Sequence, residues 1–62
     1  MSKEIKDLEK SELLAELFIA RDDLISIRRR MYEEDTEELE GLFEIISARY
    51  SKLIEEVYRR MK

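Results

Sequence analysis

Sixty-two residues, with 16 acidic and 12 basic side chains and a net charge of −4, allow one small domain and no second. The chain holds no Cys, His, Trp, Pro, Asn or Gln. This excludes a disulfide framework, thiolate chemistry and a Cys-type zinc site, and removes the commonest general base and transition-metal ligand. No apolar run approaches the roughly 18 residues of a membrane span, and no signal-peptide pattern opens the chain, so a cytoplasmic protein is expected.

Charged residues make up 45% of the chain. Abundant Glu, Lys and Arg without Asn, Gln or Cys is the bias of proteins that work hot, and also of designed helical proteins. The bias speaks to stability and not to chemistry.

No stretch alternates apolar and polar residues with period two, so no strand is expected. In residues 1–10, Ile5 and Leu8 fall on the side opposite the Leu13 stripe if helix 1 runs through them unbroken. These residues are either the first turns of helix 1 or an arm, and Ser11 before Glu12 is a candidate N-cap. Helix 1 is then predicted over about 11–31. Leu13, Leu17, Ala20, Leu24, Ile27 and Met31 recur with 4-3 spacing, which keeps them on one side of a helix.

The second stripe is Leu39, Phe43, Ile46, Tyr50, Leu53 and Val57. It stands eight residues beyond Met31, a gap that no unbroken heptad contains. Between the stripes, Asp35 with Glu38 fits a capping box, and the acids around them suit a helix N-terminus. A turn over about 32–35 and a second helix over about 36–60 are therefore predicted. The competing arrangement is one helix of roughly 90 Å at 1.5 Å per residue, with Asp35 in its seam. The explicit helix start favours the hairpin. Gly41, the one glycine, lies outward in the second stripe's register. It is a tolerated surface glycine or a place where a partner's backbone comes close.

The apolar arcs are wider than a two-helix seam needs. Leu14, Phe18, Ile25 and Tyr32 form a second row on helix 1, and Leu42, Ile54, Tyr58 and Met61 flank helix 2. Arcs of this width belong to core-facing bundle helices. A domain near 60 residues buries only about 60% of its unfolded surface. The fold expected is all-α: an antiparallel helical hairpin that dimerises into a four-helix bundle with isologous contacts. Its predicted dimer or partner interface is Leu14, Phe18, Ile25, Tyr32, Phe43, Tyr50, Ile54 and Tyr58. These aromatic residues read as packing groups, with no base or cation to activate a tyrosine.

Candidate polyanion contacts are Arg28, Arg29 and Arg30 together with Arg59 and Arg60, since arginine forks match phosphate oxygens. Consecutive arginines point in different directions around a helix, however. Glu33 and Glu34 stand four residues beyond Arg29 and Arg30 and can pair with them, as Glu55 and Glu56 can with Arg59 and Arg60. Residues 33–44 carry seven acids and no base, a field that repels a polyanion. A hairpin would also gather Lys3, Lys6 and Lys10 with Arg59, Arg60 and Lys62 at the end opposite the acidic turn.

Glu33-Glu34-Asp35-Thr36-Glu37 resembles the E-E-x-x-E half of the magnesium motif of MazG-type nucleotide pyrophosphohydrolases. The E-x-x-D half is absent, and helix capping accounts for these acids. Residues 42–60 resemble the long first helix of AroQ-type chorismate mutases, whose substrate-binding Arg and Lys would fall on Arg49 and Arg60. The Arg that such a site needs upstream would fall on Tyr32, so the activity is not carried over. In length, helix count and heptad phasing the chain is similar to Rop-type plasmid regulators and to helical-hairpin proteins of archaeal viruses, a likeness of architecture.

The function expected is that of a non-enzymatic protein–protein interaction module, a small adaptor or regulator acting as a homodimer. No cofactor or metal is expected. The alternative is a Rop-like RNA- or DNA-binding regulator using the basic residues.

Overall fold

Two long helices, α1 over Lys10–Glu33 and α2 over Glu37–Met61, account for most of a computed structural model whose described residues are 3–62. They pack against each other as a hairpin, and no strand occurs among the described residues. No helix is long and apolar enough to cross a membrane. Both 4-3 stripes turn inward, as period-matching with the helix requires. On α1, Leu13, Ala20 and Ile27 are buried, with Leu17, Leu24 and Met31 half-buried between them. On α2, Leu53 is fully enclosed and the other five stripe residues are half-buried.

The helix ends fall where local hydrogen bonds favour them, two residues or fewer from the predicted positions. Asp35 is not the cap of α2. Thr36 takes that place, its Oγ1 accepting from the Leu39 amide at 3.2 Å, and the break lies at residues 34–36. A threonine hydroxyl satisfies an otherwise orphaned amide of the first turn. Glu37, Glu38 and Glu40 then sit in that first turn, where the helix dipole favours negative charge. Nor is Ser11 the cap of α1. The helix starts one residue before it, at Lys10, with Glu9 as the cap; the Glu9 amide donates to the Glu12 carboxylate at 2.9 Å.

Residues before Lys10 do not extend α1. Ile5–Asp7 form a single 3₁₀ turn, and Leu8 and Glu9 are extended, which swings the arm away from the α1 axis. The two apolar residues that were out of phase with the stripe thereby reach the core. Ile5 and Leu8 pack against the Leu13–Ala20–Leu53 cluster beside Leu17, Ile46, Tyr50 and Val57.

Gly41 is helical with negative φ, and a methyl group built on it meets nothing within 4 Å. Gly41→Ala is expected to raise the unfolding free energy by about 1 kcal/mol through helix propensity alone. A urea midpoint at micromolar protein checks this. An unchanged or lowered midpoint would place another backbone against that position.

Candidate interaction surface

The antiparallel helices divide the hairpin into two broad faces, and the sequence offset from each stripe tells which face a residue joins. A helix turns about 100° per residue, so positions just after stripe residues lie on one flank and those just before on the other. In an antiparallel pair, the same offset reaches the same face on both helices. Glu16 and Arg49, each just before a stripe residue, meet at 2.9 Å and mark the first face.

The arm lies on this first face. Ile5 lines a groove with Ile45, Ala48, Arg49 and Lys52, and Lys3 bridges to Glu12 at 3.1 Å. Glu56, also just before a stripe residue, is only 7% exposed although it is charged. Its carboxylate accepts from Arg59 Nε at 2.9 Å and from Arg60 Nε at 2.6 Å. Arg60 extends its other nitrogen to the Leu8 carbonyl, so one guanidinium joins the buried carboxylate to the arm. Residue spacing alone pairs Glu55 and Glu56 with the two arginines separately. The structure gives both arginines to Glu56, because Glu56 faces the arm.

These donors stabilise the charged form of Glu56. Hydrogen bonds from Arg59 and then Arg60 outweigh desolvation and lower its carboxyl to a pKa of about 2. Glu12 is lowered as well, first by the Glu9 amide and then by Lys3. Among the described residues no buried side-chain nitrogen or oxygen lacks a partner.

The second face has no such cover. Just after stripe residues on α1 come Leu14, Phe18, Ile25 and Tyr32, all exposed, with Phe18 at 60% and Tyr32 at 88%. On α2 the same offset gives Ile54 and Tyr58, half-buried and exposed respectively. Met61 lines a groove there with Leu13, Leu14 and Val57. Phe43 and Tyr50, stripe residues that lean this way, are half-buried. The eight predicted interface positions thus gather on one face, three of them partly covered within the chain.

Sequence reasoning did not single out Ile19 and Ile45, which are exposed on the first face with Leu42. Their signal was present: both are large apolar residues that stand off both stripes. The arginine run is dispersed. Arg28 lies beside Met31 and Tyr32, whereas Arg30 shares a groove with Glu33 and Glu34 across the turn. None of the three forms an ion pair among the described residues, so the anticipated pairs with Glu33 and Glu34 are not made. Arg59 and Arg60 are engaged by Glu56. Among the described residues no group of three acidic side chains gathers at metal-holding distance, and the acids of the turn follow the helix ends.

Comparison with protein-family models, with curated proteins and with solved structures finds no match.

The lowered Glu56 sets the sign of the pH dependence. A depressed carboxyl contributes stability that is complete above the ordinary value of 4.5 and is lost as pH falls through about 2. Glu56→Gln is expected to lower the melting temperature at pH 7 and to flatten its decline between pH 4.5 and 2. Melting curves followed by circular dichroism check this, with Glu12 supplying the slope that remains. Identical profiles for variant and parent would remove Glu56 from the arm's attachment.

Proposed function

We propose that this chain is a non-enzymatic protein–protein interaction module, a small cytoplasmic adaptor or regulator that acts as a homodimeric four-helix bundle. One observation carries the reading. Leu14, Phe18, Ile25, Tyr32 and Tyr58 form an apolar face that the chain leaves in water, whereas its arm covers part of the other face and leaves Ile19, Leu42 and Ile45 exposed there. Clustered exposed apolar side chains of this kind mark association sites. A hairpin that presents one such face and pairs it with a second copy becomes a bundle with a shared core.

Arg21 and Arg28 on α1 and Glu40 and Glu44 on α2 share that face with the apolar residues. The acids of the turn and of the first turn of α2, from Glu33 to Glu40, lie at one end. That end is the surface offered to a further protein, and a partner bearing basic groups fits it. The helix-rich composition without Asn, Gln or Cys suits work at high temperature.

Sedimentation equilibrium at several micromolar concentrations, alongside circular dichroism, tests the reading. The expected result is a helical dimer for the parent chain. Phe18→Asp is expected to weaken dimerisation roughly 100-fold or more, because each dimer loses two buried rings at about 2 kcal/mol each and gains two buried charges. A parent chain that stays a folded monomer at all concentrations would overturn the homodimer.

A further inference from the structure

We infer that the ridge Leu42–Ile45–Ala48 on α2 docks a short amphipathic helix of a partner protein, laid antiparallel to α2 with its basic last turn over the acidic break. The ridge lies on the first face, apart from the face proposed for the homodimer, and its assignment rests on the adaptor reading above.

Two grooves of the first face meet along this ridge. At the break, Leu39 and Leu42 line a groove with Arg30, Glu33, Glu34 and Glu38. Nearer the arm, Ile45 and Ala48 line another with Ile5, Arg49 and Lys52. Leu42 and Ile45 stand three residues apart, so they are neighbours on one side of α2. Leu42 is 48% exposed and Ile45 69%, with Ala48 exposed beside them.

The arm shows how this face takes a segment. Its apolar residues Ile5 and Leu8 press on the core cluster, while Lys3 at its edge reaches Glu12 at 3.1 Å. Apolar side chains at helical spacing, flanked by a base, already fill the covered part of the face.

Charge commits the uncovered part to one occupant. Residues of α1 and α2 equally far from the break lie level, as the groove shared by Leu13 and Val57 shows at the other end. Asp23 on α1 therefore stands within one helical turn of the level of Ile45. With Glu33, Glu34 and Glu38 it sets four acids around the ridge towards the break, against one base, Arg30. At the arm end the ridge meets Lys52. None of these six groups is in an ion pair among the described residues.

A helix favours acids in its first turn and bases in its last. A partner helix antiparallel to α2 thus lays its bases on the four acids and its acids near Lys52. A parallel one lays acids on acids. From Glu38 to Lys52 the ridge runs about 21 Å at 1.5 Å per residue, which matches a partner helix of about 14 residues. Its apolar side chains at three- and four-residue spacing meet Leu42, Ile45 and Ala48. A second copy of this chain fits less well. Its α2 brings Lys52 as the one unpaired base, since Arg49 is held by Glu16 and both Arg59 and Arg60 by Glu56.

A probe peptide tests the site. It is capped, fluorescein-labelled and alanine-rich, fourteen residues long, with glutamates in its first turn, lysines in its last and three leucines between at four- and three-residue spacing. Fluorescence anisotropy is expected to show saturable binding to the parent chain, and no binding at about 1 mM overturns the site. Ile45→Asp is expected to weaken binding roughly tenfold, the loss of most of an isoleucine's burial. Attachment by charge alone tightens with the added acid instead, and that result overturns the proposal. Circular dichroism checks that each variant is helical. Where the Asp variant unfolds, Ile45→Ala decides, and an unchanged affinity overturns the proposal. Asp23→Lys with Glu33→Lys is expected to weaken binding about threefold or more, and an unchanged affinity overturns the antiparallel placement. Weaker self-association of Ile45→Asp in sedimentation gives the ridge to a second copy and overturns the proposal. A parent chain that binds the probe yet sediments as a monomer overturns the homodimer alone. A dimer that ignores the probe overturns this site alone.

Discussion

Two helices in contact along a single line can enclose only the side chains that lie between their axes. Everything else in this molecule depends on that restriction. Among the described residues, the buried apolar ones are Leu13, Ala20, Ile27 and Leu53, and Leu53 is fully enclosed. Each remaining stripe residue is left half in water, because a neighbour covers one of its sides and not the other. At roughly 25 cal/mol per Å² of apolar surface removed from water, such a seam is a thin source of stability. A chain of this size needs additional cover for its apolar flanks.

The chain supplies part of that cover itself, and on one side only. The break at Leu8 and Glu9 turns the arm across α2, and Ile5 joins the core cluster from there. Arg60 and the buried Glu56 hold it in place. Exposed ion pairs such as Lys6–Glu4 contribute little, since water and salt screen both partners. Glu56 differs because the arm and two arginines have replaced its water, so its charge depends on their staying. The outcome is a hairpin with one face partly covered by the arm, where Ile19, Leu42 and Ile45 stay exposed, and an opposite face that the arm does not reach.

Much of this was legible in the residues. A 4-3 spacing can be satisfied only by a helix with one wet and one dry side, so the inward stripes followed from periodicity. The eight-residue gap between Met31 and Leu39 required a break, and the hairpin has one. The break's position was harder to read. Asp35 and the neighbouring Thr36 both carry a capping oxygen, and the cap is the one whose oxygen reaches the Leu39 amide, a matter of ångströms and not of residue type. The predicted interface residues stand on one face because all of them lie after their stripe, or lean beyond it, in the same sense. Whether Phe43, Tyr50 and Ile54 would be half-covered was not legible, since exposure depends on how far the neighbouring helix leans.

The sequence by itself determined that the chain is helical, where the apolar sides lie and that one turn divides them, because these depend on repeats within a few residues. Only the tertiary structure decided that the arm ahead of Lys10 folds back, that Glu56 and not Glu55 takes both arginines, and that the arm covers part of one face. Those outcomes join residues some fifty positions apart. They turn on which side of α2 the arm crosses, and no local pattern records that choice.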